Sequence, residues 1–316
     1  MDFLNDLMLP PAKSTLAHQT DALFWFVHLS GLALTIGLMG VIIYFAFKYR
    51  RKSDDEVTPV ITHNNKLEVT WSVIPLIFVF IIFGWGYKVF MDQETIPDDA
   101  YEVKVTAQKW MWQFTYENGA RSSGDLHVPA DRPIKLIMNS KDVIHSFFVP
   151  DYRVKQDVVP GRRTELWFNA PDTGKSIIFC AEYCGTGHSD MMGNVVVHEQ
   201  ADFDDWLAQN SGGGSKPEDL EPAKWGEQLA QEWACSTCHS TDGSNMTGPT
   251  WQGVFGHEVT LDDGSTVTAD EDYIRESILK PNAKVVDGFP PVMNSYEGQL
   301  NDDQIDAIIE YIKTLK

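Results

Sequence analysis

Three scarcities narrow what this chain can be. Positive charge is the first: 25 Lys and Arg stand against 45 Asp and Glu, a formal net charge of −20. Such a balance repels nucleic acid and suits either a basic partner or a solvated acidic surface. Cysteine is the second, with only four residues in two well-separated pairs. Their contexts, taken up below, argue against disulfides even where the compartment would permit them. The third is polarity within two early stretches, Leu23 to Phe47 and Val73 to Phe90. Neither has a polar face, which argues against two buried helices of a soluble protein. Only Lys13 supplies positive charge ahead of the first stretch, so a cleavable secretory leader fits poorly. No internal repeat is found.

Each apolar stretch is long enough to cross a hydrocarbon core of about 30 Å at about 1.5 Å per residue. Between them lies Lys48-Tyr-Arg-Arg-Lys52, which the positive-inside bias assigns to the cytoplasm, with both termini outside. The expectation is an N-terminal segment and transmembrane hairpin over 1–97, with spans at about 22–48 and 71–91. At 316 residues the chain exceeds one compact core, and two or three domains are the natural division. The charge follows such a division. Residues 1–91 balance seven acids with seven bases, 92–200 carry sixteen against eleven (−5), and 201–316 carry twenty-two against seven (−15).

Residues 98–200 read as strands. Val103 and Val105 alternate with polar neighbours, and apolar runs follow at 134–138, 166–168, 177–179 and 195–197, separated by turns such as Pro160-Gly161. That spacing suggests an all-β sandwich. Residues 201–221, with Ser211-Gly-Gly-Gly-Ser215 at their centre, read as a flexible linker. In 222–316, helices are expected from Pro222 to Ala234 and from Asp302 to Leu315, where Ile305, Ile308, Ile309 and Ile312 keep helical spacing. Pro222 suits a helix start, Asp302-Asp303 favour an N-terminus, and Gly226 would let the first helix approach the Tyr311 face of the last.

The second cysteine pair is Cys235-Ser-Thr-Cys238-His239. C-x-x-C-H is the attachment signature of c-type haem: two thiols form thioethers and the histidine supplies an axial nitrogen. A redox dithiol is the alternative. Met293 is the candidate for a distal axial ligand, and Met246 stays open beside it. The first pair is Cys180-Ala-Glu-Tyr-Cys184, followed by His188 and Met191, with His145 upstream. Two thiolates, two imidazoles and a thioether suit copper. Zinc also accepts two cysteines and two histidines, so a structural zinc site remains a rival on residue types alone.

The hairpin, the sandwich and the spacing His145…Cys180-x-Glu182-x-Cys184-x₃-His188-x₂-Met191 together resemble subunit II of haem–copper cytochrome c oxidases. The added haem motif makes the chain similar to the fused, caa3-type branch. The resemblance implies a multidomain chain: a two-helix transmembrane hairpin, an all-β cupredoxin-like sandwich and an all-α class I cytochrome c domain. It implies a dinuclear copper centre, CuA, bridged by Cys180 and Cys184, with His145 and His188 on one copper each. Met191 and the Glu182 carbonyl would be the weaker ligands, and Met192 competes on spacing alone. The Glu182 carboxylate would reach a magnesium or manganese ion shared with subunit I. Trp110, in Lys109-Trp-Met-Trp112, matches the residue through which electrons enter, although Met111 departs from the tyrosine common there. Glu68 matches the mouth of a proton channel, with an ordinary helix-start acid as the alternative. Asp157 matches a position near the subunit interface.

The implied function is an electron relay of a terminal oxidase. Electrons would pass from an external donor through covalent haem c and CuA to the haem of subunit I, where oxygen becomes water coupled to proton translocation. The implied partners are subunits I and III, membrane lipid, and cytochrome c or a quinol-oxidising complex as donor. The implied location is a bacterial inner membrane with the metal domains on the periplasmic or external side. The rivals are the copper subunit of a nitric oxide reductase, a non-catalytic assembly subunit and a free-standing carrier. His28 is expected to anchor at the interface or bond to another subunit. His18, His63, His127, His198 and His257 have no partner spacing and are expected at the surface or in structural roles.

Overall fold

The computed structural model describes all residues except 1–4, 6, 58, 212–215, 218 and 245. The chain divides into two compact units, Leu16–Thr95 and a second formed by Met1–Thr15 with Ile96–Lys316.

The first unit is a helical hairpin of α1 (Ala17–Lys48) and α2 (Asn65–Glu94), both longer than the apolar runs that nucleate them. Both are long and apolar enough to cross a membrane. Large apolar side chains such as Leu34, Ile36, Phe47, Phe80 and Phe83 are exposed, as lipid solvation permits and water does not. Phe26 meets Phe78 and Trp85 at ring separations of 5.6 and 5.3 Å, and Gln93 donates to Thr20, so the helices run antiparallel. Asn64 caps α2 by accepting from the Leu67 N–H at 3.2 Å, and Glu68 accepts from the Asn64 N–H at 3.1 Å. Glu68 thus closes a helix start.

The second unit begins with a strap. Lys13 pairs with Asp151 at 3.0 Å, the Thr15 N–H donates to Asn169, and Arg153 reaches the Pro10 and Pro11 carbonyls. Beneath lies a sandwich of ten strands: β1 (Tyr101–Gln108), β2 (Met111–Tyr116), β3 (Arg121–Ser123), β4 (Leu126–Pro129), β5 (Pro133–Ser140), β6 (His145–Val149), β7 (Val154–Val158), β8 (Thr164–Asn169), β9 (Gly174–Cys180) and β10 (Met192–His198). One sheet has the order β3-β2-β1-β5-β8 and the other β4-β10-β9-β6-β7. Inward-facing apolar residues, among them Val103, Trp112, Phe114, Leu136, Phe147 and Ile178, are fully buried between the sheets.

A helix, α3 (Gln200–Asn210), follows directly. It corrects the linker expectation: Phe203 is buried and Trp206 packs on the same core, so the first half of 201–221 is ordered against the sandwich. The Gly-Gly-Gly-Ser stretch at 212–215 lies outside the described residues. Trp206 also stacks on His127 at 4.2 Å, and His127 Nδ1 lies 2.8 Å from His198 Nε2. These two histidines therefore do have partners, across the parallel pairing of β4 and β10 that spacing alone does not reveal.

The C-terminal part comprises α4 (Pro222–Glu232), a two-stranded ribbon of β11 (Glu258–Thr260) and β12 (Thr266–Thr268), α5 (Glu271–Leu279) and α6 (Asp302–Thr314). The ribbon is an addition to the expected helices. At Gly226, a Cβ would lie 1.9 Å from the Ala307 carbonyl oxygen and 2.9 Å from Tyr311 Cβ. Only glycine permits this crossing of α4 and α6. Asn301 caps α6 in a reciprocal capping box with Gln304.

Candidate metal centre

Sheet register builds the first site. β6 pairs with β9 so that Phe147 opposes Cys180, bringing His145 at the start of β6 beside the end of β9. The β9–β10 loop then returns Cys184, His188 and Met191 to the same point. Cys180 Sγ lies 3.8 Å from Cys184 Sγ and 3.9 Å from His145 Nδ1. Cys184 Sγ lies 3.5 Å from His188 Nδ1 and 3.8 Å from Met191 Sδ. The Glu182 carbonyl oxygen is 3.3 Å from Cys180 Sγ, while its side chain is exposed. His145, Cys180 and Cys184 are buried and can converge on one ion. Met191 is fully buried, whereas Met192 is 51% exposed.

Two cysteines at this separation are free thiols. Burial acts to raise Cys180, but hydrogen bonds from His145 and nearby backbone hold it below the usual thiol range. Burial and the neighbouring Cys180 charge push Cys184 up. The pair thus carries one negative charge readily and a second only when a cation compensates it, as a metal would. The donors are soft sulfur and imidazole, which fits copper.

Asp142 was missed in the sequence. Its Oδ1 lies 2.8 Å from His145 Nε2, and its Oδ2 accepts from the Lys109 N–H at 2.7 Å. Burial opposes its ionisation, yet His145 and the N–H groups of Lys109 and Val143 hold the carboxyl down at about 2. It orients the His145 ring so that Nδ1 faces the sulfurs. The pattern Asp-x-x-His was the available signal. Asp157 is half-exposed and accepts from Ser146 and Lys155.

The second site is an apolar cavity whose walls include Cys235, Cys238, His239, Met293 and Tyr296. Met246 is 41% exposed and is not among the lining residues. The Pro249 carbonyl lies 2.8 Å from His239 Nδ1, fixing a proton there and leaving Nε2 with its lone pair. Burial keeps this imidazole neutral. Burial also pushes both thiols up, the reverse of what a reactive redox dithiol needs. A flat apolar group joined through two thioethers, with a neutral imidazole on its face, fits these walls.

Trp110 belongs to both places. It lines the cavity, and its ring lies flat on the β9–β10 loop, where a Cβ at Gly187 would come within 2.7 Å of ring atom Cδ2. Trp112 beside it points into the sandwich and meets the His145 ring edge-on at 6.2 Å.

Known families divide the chain similarly. The transmembrane domain of cytochrome c oxidase subunit II matches residues 4–89, its periplasmic domain matches 85–199, and cytochrome c matches 223–316. Cytochrome c oxidase subunit 2 of Synechocystis sp. is 30% identical over 255 residues, 66% of this chain and 77% of the relative. The chain belongs to the cytochrome c oxidase subunit II family. The subunit 2 of Alkalihalophilus pseudofirmus is 29% identical over 300 residues, covering 90% of this chain and 84% of the relative. The periplasmic domain of subunit II of cytochrome oxidase from Bradyrhizobium japonicum aligns at 28% identity and a TM-score of 0.36, over 37% of this chain and 96% of that one.

This oxidase subunit II therefore carries a fused C-terminal cytochrome c domain and is the electron-transfer subunit of a terminal oxidase, with copper and haem c as its cofactors. It is a membrane protein anchored by a hairpin, and other oxidase subunits are its partners. Substituting Gly187→Ala in it should force Trp110 off the metal loop. Haem-to-copper electron transfer is then expected to slow on the order of ten-fold with both cofactors still bound, as flash-induced absorbance would record.

Proposed function

We propose that Cys180 and Cys184 bridge two coppers as a CuA centre, with His145 and His188 as terminal ligands and Met191 and the Glu182 carbonyl as the weaker ones. The observation that carries this reading is that His145 and His188 approach different sulfurs of one thiol pair, at 3.9 and 3.5 Å. A mononuclear site would need one sulfur only. In the same reading, Cys235 and Cys238 anchor haem c, with His239 and Met293 on its two faces. Bound at these sites, copper and haem supply reversible one-electron chemistry.

The protein's own work is ligand geometry, water exclusion and orientation. Asp142 holds His145, Pro249 holds His239, and Trp110 fills the space between the cavity and the metal loop. The exposed Glu182 carboxylate is assigned to a magnesium or manganese ion shared with subunit I, whose haem receives the electron. Glu68 is assigned to the mouth of that subunit's proton channel, in addition to its part in the α2 start. Subunit III completes the assembly, and a soluble cytochrome c or a quinol-oxidising complex donates electrons. The basic loop at 48–52 supports assigning that turn to the cytoplasm and the metal domains to the periplasmic or external side of a bacterial inner membrane. The working boundaries are 1–97, 98–200 and 222–316, with α3 taken out of the intervening linker.

The test is metal analysis and activity of the purified complex. Two coppers and one covalent haem per subunit II, with oxygen consumption on reduced donor, are expected. Nitric oxide reduction without oxygen reduction would replace this reading with that of a nitric oxide reductase.

A further inference from the structure

The outer face of β2 is covered by the loop that carries Met293. Asn294 Nδ2 donates to the Lys109 carbonyl, next to Trp110. Gln113 Nε2 donates to Gln299, and Arg121 Nη1 donates to the Gly298 carbonyl at 3.1 Å. Met111 lies on this same outer face, turned out of the sandwich. It is 3% exposed and packs with Trp225, Leu229, Trp233 and Tyr296 of the cytochrome domain. Its sulfur lies 3.3 Å from Gln108 Nε2 and 4.0 Å from the Tyr296 hydroxyl. Net charge does not draw these domains together, because the sandwich with α3 (92–210) sums to −8 and residues 222–316 to −10. Glu232 faces Asp125 across the same contact, and burial together with that like charge pushes its carboxyl up to about 7.

We propose that Met111 and the loop 293–299 form an interlock that fixes the haem cavity against Trp110, with Met111 and Asn294 as positioning residues for electron transfer. This rests on the haem and copper assignments above. The loop bearing Met293 is fastened to β2 and to the β1–β2 turn that carries Trp110, so neither moves without the other. With haem and copper bound, the one electron given up by the first and taken by the second would cross a contact that Met111 and Asn294 hold assembled beforehand. A domain swinging on its linker would have to find this contact against like-charge repulsion on every turnover. Met111 supplies a flexible thioether that fits an irregular apolar seat.

The test uses the assembled oxidase with haem and copper contents verified, and follows haem oxidation after a light-induced electron pulse. In the parent protein the haem-to-copper rate should be independent of added salt. Asn294→Ala should lower it about five-fold, the effect of one hydrogen bond of about 1.0 kcal/mol. Met111→Ser should lower it at least about ten-fold, and Met111→Leu should restore it, since volume and apolarity suffice for the seat. In both slowed variants the rate should rise with salt, because screening relieves repulsion between the separated domains. Parent rates without salt dependence in both Asn294→Ala and Met111→Ser would overturn the interlock. Failure of the Met293 assignment would appear separately, as an unchanged haem spectrum in Met293→Ala.

Discussion

Cys184→Ser is expected to abolish the near-infrared band and the mixed-valence EPR signal of the copper centre while leaving covalent haem intact. The sulfur of Cys184 sits at the middle of the donor set, 3.8 Å from Cys180 Sγ, 3.5 Å from His188 Nδ1 and 3.8 Å from Met191 Sδ. A serine hydroxyl is a hard, weakly acidic donor and cannot bridge two coppers as a thiolate does. Changes one layer out from a metal typically cost about 10–100-fold in affinity or activity. Loss of the bridge itself should therefore lower oxygen consumption by more than about 100-fold. The substitution is nearly isosteric and lies in the β9–β10 loop, so the sandwich should persist. Near-infrared and EPR spectra beside the haem absorption decide the matter. Retention of both copper signals would refute the ligand set.

Much of this site is legible because its chemistry is local. Cys180, Cys184, His188 and Met191 fall within twelve residues, and the haem motif within five. Close spacing of rare residue types survives translation into structure whatever the surrounding fold does. Contacts that depend on strand register are not legible in this way. Asp142 is functional only because β6 starts three residues later and the β1–β2 corner returns Lys109 to its other oxygen. His127 and His198 are 71 residues apart and meet only because β4 lies parallel to β10. The strap at Pro10–Thr15 has no periodicity to announce it. The helix α3 was hidden by the Gly-Gly-Gly-Ser stretch that follows, although Phe203 and Trp206 sit three apart on one helical face. Met111 read as a departure within an aromatic stretch, and its purpose is visible only with the cytochrome domain beside it.

Met293→Ala is expected to convert a low-spin methionine/histidine haem to an altered ligation state, with loss of the weak red band of methionine-bound ferric haem. The grounds are positional. Met293 and His239 line one cavity, and His239 Nε2 is the nitrogen left free by the Nδ1 contact to Pro249. Met246, the competitor, is 41% exposed and lies outside that lining, close behind the attachment motif. Methionine ligation raises the potential of a histidine-bound haem, so its loss should make the haem harder to reduce. Each drop of about 59 mV shifts a one-electron equilibrium about ten-fold toward the oxidised form. The defect should therefore fall on electron entry from the donor. Onward transfer to copper becomes more downhill and should hold or quicken as long as the interlock keeps Trp110 in place. Redox titration and donor-dependent haem reduction kinetics separate the two steps. An unchanged spectrum in Met293→Ala, with a changed one in Met246→Ala, would transfer the axial role to Met246.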